Sequence, residues 1–280
     1  MKHKLKEEML QDLKRRMYRE EKSEATIEKY MRDVKSFWNF VGKDREVDKD
    51  MVLSYKEYLK GRYAVSSVNS MLAALRYFFA GLDWYDCMVK MIKVQQNSFR
   101  SQDRELSKTE YLRLLQAAQC KGDERLYMLM QTIGATGIRV SELRFVTVES
   151  LKKGQVNAYS KGKMRTVLLP GTLCRKLKEY VRKTEIKKGS IFVTKSGRPM
   201  DRSNIFHAMK ALAREAGVQE KKVFPHNLRH LFACTYYKIR KDIIHLADML
   251  GHSNINTTRI YTLVSGKEQI RQIDGLGLVV

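Results

Sequence analysis

Apolar positions recur at intervals of three and four along the first part of the chain. Ile27, Tyr30, Met31, Val34, Phe37, Trp38 and Val41 fall on one face of a helix, and Val68, Met71, Leu72, Leu75, Phe78 and Phe79 mark a second. Between them Val52, Tyr55, Tyr58 and Leu59 predict a shorter one. Residues 1–93 therefore read as a small all-helical domain. Residues 94–106 (VQQNSFRSQDREL) are polar and aperiodic, as expected of a linker. Ser107 and Glu110 then form a capping-box pattern that opens a new helix and a second domain, 107–280.

In that second domain the period changes. QVNAYS (155–160) and MRTVLL (164–169) alternate apolar and polar positions around Lys161-Gly162-Lys163, which predicts a hairpin with a basic tip. IFV (191–193) reads as a further short strand, and helices are expected over 203–216, 226–240 and 243–250. The fold class is mainly α with a small β component, the second domain being α+β.

Composition adds a partner. The 280 residues suit two domains, and 54 Lys and Arg against 31 Asp and Glu leave a formal charge of +23. Such an excess repels itself unless an anion answers it, and double-stranded DNA presents phosphates continuously. Basic residues of the first domain, Lys29, Arg32, Lys35, Lys56, Lys60, Arg62 and Arg76, occupy polar helix positions. No run is apolar enough to span a bilayer and no signal-peptide pattern follows Met1, so a cytoplasmic protein without a membrane partner is expected. Cys87, Cys120, Cys174 and Cys234 lie far apart without a CxxC pair, which argues against a thiolate zinc site. No cofactor or metal is expected.

Four stretches carry candidate chemistry. In ATGIRVSEL (135–143), Gly137 ends one helix and Arg139 opens the next. Lys161 sits at the hairpin tip. In PHNLRH (225–230), Pro225 starts a helix on which His226 and Arg229, one turn apart, flank a core stripe of Leu228, Leu231, Phe232, Thr235, Tyr236 and Ile239. In LGHSNINTTRIY (250–261), Asp242 caps the preceding helix, Gly251 stops it, and His252 follows in a rigid corner, with Tyr261 on a further short helix. Taken singly these are a helix junction, a basic turn, a surface His–Arg pair and a core tyrosine.

Together, in this order, they resemble the active site of the tyrosine recombinase (phage integrase) family, its Xer-type members most closely. The separations fit as well: Arg229 precedes His252 by 23 residues and His252 precedes Tyr261 by 9. The resemblance spans essentially the whole chain and implies an N-terminal helical, SAM-like DNA-clamping domain before the catalytic domain. It implies Tyr261 as nucleophile, Arg139 and Arg229 on the phosphate, His226 as base, Lys161 as general acid and His252 on the phosphate or transition state. The hairpin reads SKGKMR, shorter by one residue than the usual Xer pattern, so Lys163 is the alternative acid. Glu142, three residues after Arg139, is placed to orient Arg139 or His226. His230 is read as structural, and His3, His207 and His245 as incidental.

The chemistry is consistent with these residue types. Two guanidiniums donate forked hydrogen bonds to the non-bridging oxygens as charge gathers there. A phenol with a pKa of about 10 needs a base and a positive field to attack. The resemblance further implies a site-specific recombinase working through a 3′-phosphotyrosyl intermediate without ATP or metal. Four copies would assemble on paired DNA sites, as one recombinase or two related ones. The tail 266–280 would dock on a neighbouring protomer through Ile270, Ile273 and Leu276. The short stretch before the first helical stripe leads to the expectation of a simple recombinase without an arm-binding domain. The rival readings are a type IB topoisomerase, a non-catalytic DNA-binding protein on the same fold, and an RNA-binding protein, for which neither an RNP nor a KH pattern exists.

Overall fold

A computed structural model describes residues 2–42, 45–93, 104–160, 163–262, 270–271 and 274–276. The chain divides into two compact units, Met1–Gln96 and Asn97–Val280.

The first unit is built on four helices, α1 (Glu8–Arg19), α2 (Glu24–Val41), α3 (Lys49–Lys60) and α4 (Val65–Ala80). Local chemistry sets two of their starts: Ser23 Oγ accepts the Thr26 amide, and Asp48 Oδ1 accepts the Met51 amide at 2.9 Å. Their apolar faces meet in one core that holds Met17, Val34, Phe37, Tyr55, Leu75 and Phe79. The predicted stripes face this core, with Tyr30, Met31 and Met71 only partly buried; Tyr58 is exposed, and the Arg62 guanidinium covers its ring at 4.3 Å. The unit is not purely helical. Two-residue strands β1 (His3–Lys4) and β2 (Glu46–Val47) pair antiparallel, with Val47 fully buried. Strands so short leave no period to read.

The second unit centres on α6 (Glu124–Thr136), packed by α5 (Lys108–Cys120), α8 (Gly171–Lys183) and α10 (Pro225–Arg240). Leu126, Leu129, Met130 and Ile133 of α6 are buried, each contributing about 1.5–3 kcal/mol on transfer from water. The capping box at the start of α5 forms as expected, Ser107 Oγ accepting the Glu110 amide at 3.1 Å and Glu110 accepting the Ser107 amide at 2.8 Å. After α7 (Val148–Lys153) comes the hairpin, β3 (Gln155–Ser160) against β4 (Lys163–Leu168), in register from Gln155↔Leu168 to Ser160↔Lys163. Val156, Ala158 and Val167 face the core while Tyr159, Met164 and Leu168 face out.

Several expectations are corrected. Residues 191–193 form no strand: Ile191 and Phe192 are buried, but the backbone joins only isolated bridges, Thr147↔Ser190 and Val193↔Pro199. A short apolar run signals burial without specifying a ladder partner. The helix expected over 203–216 is α9 (Arg202–Leu212), ending sooner in a turn. On α10, Thr235 and Ile239 are exposed, and the buried set is Pro225, Asn227, Leu228, Arg229 and Ala233. The helix therefore leans on the core through its first half. α11 (Ile243–Leu250) has the expected bounds, and α12 (Asn256–Arg259) ends two residues before Tyr261.

Candidate active site

Arg229 sits one turn into α10 and is almost fully buried. Pro225 at the first turn lets that helix begin without a wasted amide, fixing where the side chain enters the core. Its guanidinium donates to the Gly137 carbonyl, to the Leu250 carbonyl at 2.7 Å, and to His252 Nε2 at 3.1 Å. Gly137 closes α6 at φ +63°, and a Cβ there would lie 2.5 Å from the Phe232 ring, so only glycine permits this approach.

Two further arginines reach the same place. Arg139 follows Gly137 and caps a short 3₁₀ helix, Val140–Phe145. Its Nη2 donates to the Gly251 carbonyl at 2.8 Å and its Nη1 to Glu142 Oε1 at 2.9 Å. Arg165, on β4, donates from Nη1 to the Met249 carbonyl and forks onto Glu142, Nη2 to Oε2 at 2.6 Å and Nε to Oε1 at 3.1 Å. Three guanidiniums thus take three successive carbonyls, Met249, Leu250 and Gly251, at the C-terminal end of α11. Those carbonyls lack intrahelical partners and carry the negative end of the helix dipole, so cations are stabilised there.

The charge balance is positive. Glu142 is fully buried and is the acidic partner of both Arg139 and Arg165. Burial alone would raise its pKa; the Arg165 hydrogen bonds, the Arg139 amide and the two cations outweigh that and hold it below the usual carboxylate range. Burial, then the neighbouring Arg139 and Arg165, lower the Arg229 pKa to about 10, which still leaves it protonated at neutral pH. Burial and the guanidiniums of Arg229, Arg139 and Arg165 push His252 down to about 4, so its imidazole is neutral. Because a guanidinium can only donate, His252 Nε2 is the acceptor, and Nδ1 carries the proton it donates to Thr258 Oγ1 at 2.8 Å. Three cations and one anion leave a site that attracts a phosphate.

Tyr261 is buried beside this cluster, with Ala233, Leu246 and Leu250 around it. Burial raises its phenol pKa, and the charge and hydrogen bond of Arg229 offset part of that. His226 lies one turn before Arg229 with its ring reaching solvent; the surrounding protein, then Arg229 and Arg202, lower its pKa. Lys161 lies outside the described residues. Lys163 pairs through its backbone with Ser160, and its side chain also lies outside them.

The structure therefore gathers Arg139, Arg229, His252, Tyr261 and Glu142. The partners of Glu142 are Arg139 and Arg165. His230 is structural in a particular sense: its ring meets the Tyr261 ring edge-on at 5.0 Å, and its Nδ1 is 3.4 Å from Cys234 Sγ. His207 bonds the Ser203 carbonyl, and His245 faces the Tyr236 ring. Arg165 escaped the sequence reading. The signal was present, since Arg165 shares the inward phase of β4 with Val167, and a charge in core phase is informative.

Among the described residues, one group of donors could hold a metal, His3, Asp86 and Cys87 in the first unit. His3 Nε2 already bonds Asp86 at 2.9 Å, and burial pushes the Cys87 thiol up to about 11, so it stays protonated.

A mainly helical chain that gathers three guanidiniums, a buried carboxylate, an imidazole and a phenol in one place offers a cationic site suited to a phosphate. The chain belongs to the phage integrase family of tyrosine recombinases: the Phage integrase family profile matches residues 104–268, and the Phage integrase, N-terminal SAM-like domain matches residues 9–82. It is 32% identical over 272 residues to tyrosine recombinase XerD of Staphylococcus saprophyticus, covering 90% of this chain and 91% of that one. The crystal structure of XerA recombinase is 28% identical, with TM-score 0.52 over 98% of this chain and 99% of that chain. A lambda integrase (75–356) dimer bound to a COC′ core site shares the fold at TM-score 0.74, with 15% identity over 93% and 95% of the two chains. The protein is a tyrosine-type site-specific recombinase, an enzyme of DNA recombination.

Proposed function

We propose that Tyr261 is the nucleophile of this recombinase and that double-stranded DNA is its substrate. Arg139 and Arg229 hold the non-bridging oxygens of the scissile phosphate. The Tyr261 oxygen loses its proton to His226 and bonds to phosphorus. The bond from phosphorus to the 5′-oxygen breaks, and that oxygen takes a proton from Lys161, with Lys163 as the alternative donor. His252 bonds the phosphate as negative charge builds on it. The product is a 3′-phosphotyrosyl linkage that conserves the phosphodiester bond energy, so rejoining needs no ATP, and the positive charge comes from protein cations rather than a metal. Glu142 orients Arg139.

The observation that carries this reading is the placement of the Tyr261 phenol against the Arg229 guanidinium and His252. In the free protein that phenol is only 3% exposed, and Arg229 occupies His252 Nε2. A duplex phosphate must therefore displace the His252–Arg229 contact, and the segment bearing Tyr261 must shift to reach it.

Residues 1–93 act as the DNA clamp, 94–106 as the linker and 107–280 as the catalytic domain. Exposed Arg32, Lys35, Lys60, Arg62 and Arg76 give the clamp a cationic surface for the DNA backbone. The working assembly is a homo-tetramer on two paired sites, or one shared with a related recombinase, in the cytosol. Among the described residues no helix is long and apolar enough to cross a membrane. Of the tail residues expected to dock on a neighbour, Ile270 and Leu276 are exposed and Ile273 lies outside the described residues.

The test is covalent capture. Wild-type protein incubated with a nicked duplex carrying its site should yield a protein–DNA adduct that survives denaturation. Tyr261→Phe should abolish the adduct and keep DNA binding; an adduct formed by Tyr261→Phe would overturn the assignment.

A further inference from the structure

Arg165 takes part in none of the bond-making or proton-transfer steps proposed above, yet it is bonded into the site as fully as Arg229. We propose that Arg165 is a positioning residue that sets the Arg139 guanidinium through Glu142 and locks it in register with the carbonyl row at 249–251. The proposal rests on the reading of Arg139 as a phosphate ligand.

Four observations support it. First, Glu142 is fully buried and is clamped from both sides, Arg139 at 2.9 Å and Arg165 at 2.6 Å. A carboxylate with one cation partner can swing about that contact; with a forked second partner its plane is fixed. Second, the Glu142 atoms are shared: Oε1 takes both Arg139 Nη1 and Arg165 Nε, while Oε2 takes both the Arg139 amide and Arg165 Nη2. Removing Arg165 therefore frees both oxygens that hold Arg139. Third, Arg165 bonds the Met249 carbonyl two residues from the Gly251 carbonyl that takes Arg139 Nη2, so one strand residue ties Glu142 and the corner together. Fourth, Gly251 has φ +62°, and a Cβ there would lie 2.4 Å from Arg165 Cδ, so the corner is shaped around this side chain.

The side chain of Arg165 is only 13% exposed, against 32% for Arg139, so the outer arginine is the one offered to a ligand and the inner one is its support. Arg165 also stands on β4, the strand that follows Lys161 and Gly162 in the sequence. Positioning of Arg139 and of that strand thus shares one anchor.

The experiment uses the full chain and a nicked duplex selected by the wild-type protein from a random-sequence pool. Single-turnover adduct formation should slow at least about tenfold in Arg165→Gln, because small misplacement of a charge-stabilising group is costly. The apparent DNA affinity should stay within about twofold, since contacts distributed along the backbone dominate binding. Arg165→Lys, which keeps the charge and loses the fork, should remain slow. In an Arg139→Lys background the further change Arg165→Gln should be nearly silent, whereas general destabilisation or a direct phosphate contact by Arg165 would lower the rate by the same factor again. Equal factors in both backgrounds, or an unchanged rate in Arg165→Gln, would overturn the proposal.

A crystal structure of free Arg165→Gln serves as the readout independent of turnover. Arg139 should leave the Gly251 carbonyl, and an unmoved Arg139 counts against the proposal even if no variant, wild type included, forms an adduct. Absence of an adduct from the wild type would instead defeat the recombination chemistry proposed for Tyr261, so the two failures are distinguishable.

Discussion

The ring of Tyr261 lies nearly parallel to that of His252, their centroids 6.2 Å apart and their planes inclined by 17°. His252 is in turn bonded through Nε2 to Arg229 and through Nδ1 to Thr258, three residues before Tyr261. Beside the phenol and the cationic pocket thus lies one neutral imidazole whose proton position is dictated by its neighbours.

That imidazole gives a pH signature. Its folded pKa of about 4 lies below the unfolded value of 6.5, so between these values the unfolded chain binds a proton that the folded chain refuses. This contribution to stability is fully present above pH about 6.5 and is lost as pH falls toward about 4. His226, also lowered, acts with the same sign. Denaturant melts at stepped pH should show a shallower decline across this window for His252→Gln than for the wild type; parallel curves would contradict the environment described for His252.

Glu142→Gln keeps the volume and removes the charge. It leaves Arg139 and Arg165 without their shared anion, and breaking a buried ion pair from one side costs about 3–5 kcal/mol. Arg139 is partly exposed, so solvent recovers some of that and the lower end is expected. Equilibrium urea unfolding measures it. A loss under about 1 kcal/mol, the scale of exposed pairs, would mean the network is not held as described.

Gly251→Ala and Gly154→Ala form a matched pair. Both glycines have positive φ, +62° and +69°, so both substitutions incur a backbone cost of about 1 kcal/mol. Only at Gly251 does the new methyl meet a neighbour, Arg165 Cδ at 2.4 Å, whereas nothing lies within 4 Å at Gly154. Thermal melts should show the larger drop for Gly251→Ala, and that variant alone should lose adduct formation. Equal shifts would place the corner farther from Arg165 than the structure has it.

The tail expectation has its own test. Truncation after Ser265 should preserve binding of one protomer to duplex DNA and weaken strand exchange between paired sites, read by gel shift and by recombination of two-site plasmids. Unchanged recombination would remove the tail from the assembly.

Binding itself should be salt-sensitive. If unit 1 and the catalytic unit together neutralise about six phosphates, the affinity should fall by roughly 10³ between 50 and 200 mM salt. A flat response would separate the +23 charge from DNA binding.

Much of the fold was legible because its cues are local. The stripes of α2 and α4, the Ser107–Glu110 capping box, and the Asp242 and Gly251 limits of α11 are each written within a few residues. The errors arose where long-range packing decides. Residues 191–193 are apolar enough for a strand but find only isolated bridge partners. Ile239 continues a stripe that no core residue meets, and β1 pairs with β2 across more than forty residues.

For the site, the sequence by itself determined the residue types, their order and their spacing: a glycine before Arg139, His226 one turn from Arg229, and a corner that presents His252. These depend on backbone chemistry over a few positions, which a linear pattern records. Only the tertiary structure decided that Arg165 joins them, that three arginines share the carbonyls of Met249, Leu250 and Gly251, and that Tyr261 rests buried against His252. Hydrogen-bond partners from β4, α10 and α11 meet only when the chain has packed, and burial, which sets the pKa values of His252, Arg229 and Tyr261, is a property of that packing alone.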